Sequence, residues 1–308
     1  MFDIVTVGSA ALDVFLRSDE FIIKAGREKS LTFANDKVEV NEMTIAAGGG
    51  GTNTAAGLAR LGFNCACVAR FGGDWVGQWL VKKLAEENFD QKYLRQIEKE
   101  KTDYSTILLS PQGERIILVN RGQTRIDKIT FPFEVLTETK WLYLASLEGN
   151  VALLTEVIKQ ANENNVAVVL NPGRRELAQK DVLRNLFNKV KVLILNEEEA
   201  ILFWGKEYQK SLADCQAEII VVTQGKEGVS WFHQGCLKTM AAKMGKVVDT
   251  TGAGDAFSVG LTAGLMEDYL PEKAMKMGLL EAAAVIAKVG AKTGLLNRAE
   301  LNEGLMAL

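Results

Sequence analysis

Short aliphatic and β-branched runs return along the chain at 3–7, 65–69, 141–145, 166–170, 192–195 and 219–223, and most lack alternating polar positions. A run of that length with no polar face reads as a strand buried on both sides. Between the runs lie amphipathic helical stretches at 75–87, 151–164 and 197–204. Strand, helix, strand, helix in sequence predicts an α/β fold: a mostly parallel central sheet with helices on both faces. The 308 residues, 47% of them apolar, are enough to bury a core of that kind.

Two regions interrupt the rhythm. One is 31–45; the other is 102–120, where strand-like runs at 105–109 and 115–119 flank Pro111, Gln112 and Gly113. Both read as hairpin-like. They predict a small β-sheet lid over one edge of the main sheet, drawn from about 14–46 and 102–121, and a lid implies a ligand to be shielded from water. After about Asp249 the strands stop, and 254–269 and 272–288 read as helices rich in Ala, Gly and Met. With no repeat or linker in sight, the expectation is a single domain, 1–308, carrying an inserted lid.

Composition removes several classes of function. The formal net charge is −3 and no basic run is interleaved with aromatics, which argues against nucleic acid as the main partner. No apolar run approaches a membrane span, and the stretch before Leu16 carries Asp3 and Asp13 without a basic leader, so a cytoplasmic protein is expected. Cys65, Cys67, Cys215 and Cys236 form no CxxC pair and read as free thiols. The single histidine, His233, falls at a strand end beside Gln234 and Gly235, so multi-histidine metal sites are excluded. Carboxylates and backbone groups must carry the chemistry.

The most informative stretch is Val248-Asp249-Thr250-Thr251-Gly252-Ala253-Gly254-Asp255-Ala256-Phe257, in which glycines lead into a long helix. Free N–H groups at a helix start, helped by the helix dipole, stabilise negative charge, so Gly252, Ala253 and Gly254 suit an anion hole. A carboxylate beside such a hole stands where a base would take a proton from an attacking hydroxyl, which is the role read for Asp255. Phosphoryl transfer needs mainly positioning and charge stabilisation, so this set can serve it without histidine. Alone, the stretch also fits a helix cap after a flexible turn.

A second cluster, Ala47-Gly48-Gly49-Gly50-Gly51-Thr52-Asn53-Thr54, opens another helix. Its glycines permit close backbone approach, and Asn53 offers donor and acceptor together, which suits a polyol better than a phosphate. A flexible connector is the plain alternative.

The two clusters together resemble the paired signatures of the ribokinase-like (PfkB) carbohydrate kinases: Gly-Gly-x-Gly-x-Asn at Gly48 to Asn53, and Asp-Thr-x-Gly-Ala-Gly-Asp at Asp249 to Asp255. Gly72, Asp74 and Gly77 resemble the family's Gly-x-Asp-x-x-Gly, Asn196 and Glu199 its Asn-x-x-Glu, and Thr223, Gly225 and Gly228 its Thr-x-Gly-x-x-Gly, so the likeness spans essentially the whole chain. It implies an ATP-dependent kinase of a sugar or nucleoside, with Asp255 as base and Gly252, Ala253 and Gly254 as the anion hole. It assigns Asp13, Gly49, Gly50, Asn53 and, on a looser alignment, Glu148 to the acceptor. Asn196, Glu199, Thr223, Gly225 and Gly228 fall to the nucleotide, with Glu199 acting on Mg2+ through water. Asp249, Thr251 and Gly290, in the segment 285–290, are assigned to a monovalent cation such as K+, and the lid to a homodimer.

Gly50 stands where many members of that family carry a larger residue, and the segment before the Asn-x-x-Glu motif reads Asn171-Pro172-Gly173, so the acceptor is left open. Arg121, after the lid hairpin, either reaches the acceptor or is an ordinary surface turn. A dinucleotide-binding oxidoreductase is disfavoured, because Gly8-Ser9-Ala10-Ala11 follows the first strand in place of Gly-x-Gly-x-x-Gly, and no P-loop signature occurs. A non-catalytic sensor on the same fold remains the rival of a different class.

Overall fold

The computed structural model describes residues 1–24, 30–32, 36–111, 114–243 and 245–307. The chain enters through β1 (Phe2–Val7), buried except at Asp3, and turns at once into β2 (Ala11–Arg17). β3 (Ile22–Lys24) and β4 (Ser30–Thr32) pair as a separate ribbon before β5 (Glu42–Gly48) returns antiparallel to β2. Then come α1 (Gly50–Arg60), β6 (Cys65–Gly72), α2 (Trp75–Leu84), β7 (Leu94–Ile97), and the hairpin of β8 (Asp103–Leu109) with β9 (Arg115–Asn120). Regular alternation follows: β10 (Thr139–Leu144), α3 (Val151–Glu163), β11 (Ala167–Leu170), α4 (Arg174–Leu177), α5 (Lys180–Phe187), β12 (Val192–Asn196), α6 (Glu197–Trp204), α7 (Tyr208–Ser211) and β13 (Ile219–Thr223). An antiparallel pair, β14 (Val229–His233) and β15 (Cys236–Met240), precedes α8 (Ala253–Met266), α9 (Pro271–Ile286) and α10 (Arg298–Met306).

The main sheet runs β15-β14-β13-β12-β11-β10-β1-β6-β7, parallel from β13 to β7 and antiparallel only at the β14 and β15 edge. Alternate side chains of each central strand enter different cores. Val5, Leu142, Val168, Leu193 and Ile220 face one side, where α3, α5 and α6 supply Val157, Leu186 and Phe203. Ile4, Tyr143, Val169, Ile194 and Val221 face the other, against Leu58 of α1, Phe257 of α8 and Met277 of α9. Burial on both faces is why these strands carry no polar alternation. On the second face the helices touch backbone to backbone: a side chain on Gly278 would stand 2.8 Å from the Phe257 carbonyl, so the small residues of α8 and α9 are a packing requirement.

A second sheet runs β5-β2-β8-β9, with β2 parallel to β8 and the other pairs antiparallel. Its first strand begins at Ala11, three residues before the boundary expected from the sequence, because the chain passes directly from β1 into it. The expected hairpin at 31–45 does not form among the described residues: β5 pairs with β2, from Ala11 opposite Gly48 to Arg17 opposite Glu42. Of the turn expected at Pro111, Gln112 and Gly113, the last two lie outside the described residues. Asp74 ties the two sheets together. Its carboxylate caps α2 by accepting from Gly77 N at 3.0 Å, and accepts from Thr102 Oγ1 at 2.7 Å at the entrance to β8.

Candidate active site

Helices α1 and α8 both begin without a side-chain cap, at glycines in positive-φ backbone: Gly49 at φ 98° and Gly252 at φ 79°. Gly252 has two reasons to be glycine, since a side chain there would also drive into Ala291. Nothing lies within 4 Å of the place a Gly254 side chain would occupy, so this turn opens outward. Of the three amides expected to form the anion hole, that of Ala253 donates to the Thr250 carbonyl at 3.3 Å, a long internal bond.

The two helix starts meet at one hydrogen bond. Asn53 Nδ2 donates to Asp255 Oδ2 at 2.8 Å. Asp255 is half-buried and ringed by protein; burial raises its carboxyl above the ordinary range, against the lowering influence of Asn53 and of the Lys292 ammonium. A side chain on Gly50 would stand 3.6 Å from Asp255 Oδ1, so this glycine keeps the approach to the carboxylate open. Tyr143, on β10, feels the charge of both Asp255 and Glu199; its phenol, pushed up chiefly by burial, lies 3.3 Å from Asn171 Oδ1.

Lys292 is a member of this cluster that the sequence did not disclose. It is buried, and Nζ donates to Asn53 Oδ1 at 2.7 Å, Ala47 O at 2.8 Å and Thr52 Oγ1 at 3.0 Å. Burial lowers its ammonium to about 8, while Glu87, Asp13, Asp255 and Cys67 pull the other way. A lone lysine among small residues has no periodic or motif signal, and its partners lie more than 230 positions upstream.

Asp13 sits on β2 opposite Ala46 and Ser105, buried, with its carboxyl raised by burial and lowered by a hydrogen bond from Ser105. A side chain on Gly48 would collide with that carboxylate, so the glycine cluster that opens α1 also makes room for Asp13. Glu148, at φ 60° after β10, is gripped by two arginines: Arg121, which follows β9, and Arg175 of α4 at 3.2 Å. Burial raises its carboxyl more than Arg121 lowers it. The loop holding Glu148 is built around buried Glu176, which accepts from Leu147 N at 2.7 Å and Gly149 N at 2.8 Å. Sequence reasoning missed Glu176 too: Glu176 Oε2 accepts from Gly173 N at 3.0 Å, but a glycine at the cap has no side-chain oxygen to complete the usual capping signature.

The residues assigned to the nucleotide lie side by side at the ends of β12 and β13, where Asn196 is paired in register with Thr223. Asn196 and Glu199 form a reciprocal cap on α6, Asn196 Oδ1 accepting from Glu199 N at 2.9 Å and Glu199 Oε2 from Asn196 N at 2.8 Å. Glu199 is thus anchored through one oxygen, and burial raises its carboxyl. Gly225 (φ 57°) and Gly228 (φ 104°) shape the tight turn into β14, with open space above Gly225. Asp249, 1% exposed, accepts from Thr251 N at 2.9 Å, Thr251 Oγ1 at 2.7 Å and Gly290 N at 3.1 Å, which draws the two segments assigned to a cation into contact. Among the described residues no three His, Cys, Asp or Glu side chains cluster to hold a metal ion by themselves.

Residues 1–298 match the family described as pfkB family carbohydrate kinase. The chain is 26% identical over 272 residues to a ribokinase of Haemophilus influenzae, covering 85% of this chain and 88% of that one. It is 31% identical over 281 residues to a fructokinase of Escherichia coli, covering 82% and 90%. A solved nucleoside kinase of Burkholderia thailandensis in complex with inosine superposes with a TM-score of 0.79 at 20% identity, covering 99% of this chain and 98% of that one.

Proposed function

The chain belongs to the pfkB carbohydrate kinases, which use ATP to phosphorylate sugars or nucleosides, and on that premise we propose that it transfers the γ-phosphate to a hydroxyl or hydroxymethyl group of a small sugar, with Asp255 as base. The observation that carries this reading is the Asn53–Asp255 hydrogen bond, which brings a polyol-suited amide and a carboxylate together at two converging helix starts.

In the proposed step the acceptor hydroxyl lies over Gly50, held by Asp13, Asn53 and the backbone at Gly49. Its proton passes to Asp255 as its oxygen forms a bond to the γ-phosphorus, while the bond from that phosphorus to the β,γ-bridging oxygen breaks and ADP departs. The amides of Gly252, Ala253 and Gly254 and the start of α8 stabilise the charge on the transferring group. Glu148, fixed between Arg121 and Arg175, bounds the acceptor's far side. The four-stranded sheet acts as the lid that excludes water and suppresses ATP hydrolysis.

Asn196, Thr223, Gly225 and Gly228 would border the nucleotide. Glu199, anchored through one oxygen, suits Mg2+ held through water and the phosphates; when bound, that ion would neutralise phosphate charge. Asp249, Thr251 and Gly290 would hold a monovalent cation such as K+ beside the anion hole.

A nucleoside as acceptor is the second reading, favoured by the fold's likeness to the inosine-bound kinase. ATP consumption measured with a panel of free sugars and nucleosides, with and without K+, separates the two, and binding without turnover throughout would return the sensor. We place the protein in the cytoplasm, where ATP is supplied, and as a homodimer through the lid, whose edge strands β5 and β9 expose Met43, Leu118 and Val119. Light scattering at the monomer mass would remove the dimer.

A further inference from the structure

We infer that Lys292 is a positioning residue for phosphoryl transfer: it fixes which way the Asn53 amide faces and thereby keeps a donor on Asp255. The inference rests on Asp255 being the base. An amide side chain presents a donor at one corner and an acceptor at the other, and either can turn toward Asp255. A lysine ammonium has donors only. With Nζ 2.7 Å from Asn53 Oδ1, the flipped amide would set donor against donor at Lys292 and acceptor against acceptor at Asp255, so only the observed orientation satisfies both contacts.

The lysine is itself held. Its other contacts are the Ala47 carbonyl and the Thr52 hydroxyl, both at the entrance to α1, and Arg60 Nη1 donates to the Lys292 carbonyl at 2.7 Å from the other end of that helix. Arg60 is in turn bonded to Glu87 at 3.0 Å. A side chain locked on three acceptors transmits a fixed geometry to its neighbour, which is what a base aligned with an attacking hydroxyl requires. The charged and titratable groups facing Asp255 are Lys292, Asp13 from β2 and Tyr143 from β10.

The test is a cycle of Lys292→Met, Asn53→Ala and the double variant, read as the single-turnover rate of phosphoryl transfer at saturating ATP and acceptor, at a pH where Asp255 is ionised. Acting through Asn53, Lys292→Met should slow transfer about tenfold or more in the parent but less than about twofold in the Asn53→Ala background. Equal losses in both backgrounds, or no loss in the parent, overturn the inference. A second readout needs no acceptor: by NMR on the ligand-free protein, the Asn53 side-chain amide signal should follow the Asp255 titration in the parent and cease to follow it in K292M. If no acceptor turns over, the kinase reading fails while the NMR comparison still decides the role of Lys292; an amide signal that tracks Asp255 equally in both proteins overturns it. Should K292M not fold, Lys292→Gln carries the comparison in weaker form: its own amide can turn either way, so it no longer forces a single orientation on Asn53. The rate loss and the loss of coupling to Asp255 should then be smaller than in K292M but still absent from the Asn53→Ala background.

Discussion

Asn53 Nδ2, on the first turn of α1, donates to Asp255 Oδ2, on the first turn of α8, although 202 positions separate the two residues. The contact makes two uncapped helix starts converge on one carboxylate. Both helix dipoles favour negative charge there, so the same place can hold an ionised base and a transferring phosphate.

The two glycines that lead into α8, Gly252 and Gly254, should fail differently. Gly252→Ala places a side chain at φ 79° and against Ala291, so it should cost roughly 1–3 kcal/mol of stability. Gly254→Ala meets nothing and adds a better helix former, so the melting temperature should hold or rise while ATP affinity or turnover falls. Thermal melts beside ATP titrations check both, and an unimpaired Gly254→Ala enzyme would remove the anion hole from this turn.

Turnover should have an acid limb above the usual carboxylate range. Burial raises Asp255, and a base works only when ionised, so activity is complete above that raised pKa and lost as pH falls through it. Asn53→Ala removes a hydrogen bond that favours the ionised form, so the limb should move to still higher pH. The pH dependence of kcat in the two proteins measures this.

How much of this could be read beforehand depended on burial. Strands such as β13 were visible because both faces lie in a core, and Ile219 to Thr223 is the run the sequence marked. β15 was not, because Cys236 to Lys238 are exposed and polar positions follow no period. The glycine clusters announced their helix starts, since positive φ at Gly49 and Gly252 restricts the residue type. Lys292 was silent, and so was the use of Glu176 to hold the Glu148 loop: both depend on contacts across the fold, and one buried charge leaves no pattern in a chain read residue by residue.

Glu281 offers a stability prediction away from the site. It is fully buried on α9, with Oε2 accepting from Leu296 N at 3.2 Å and Oε1 unpartnered among the described residues, and burial raises its carboxyl to about 8. The unfolded chain releases this proton near 4.3, so the stability present below that pH is lost progressively as pH rises toward 8. Glu281→Gln should therefore raise the melting temperature at pH 8 by several degrees, on the order of a few kcal/mol, and leave it unchanged at pH 4. Melts at the two pH values decide it.

Asp255→Asn addresses the proposed base most directly. The amide keeps the size of the side chain and cannot take the proton, so ATP and acceptor should bind nearly as before while single-turnover transfer falls by roughly two to four orders of magnitude. Transfer at the parent rate with binding intact would contradict the assignment.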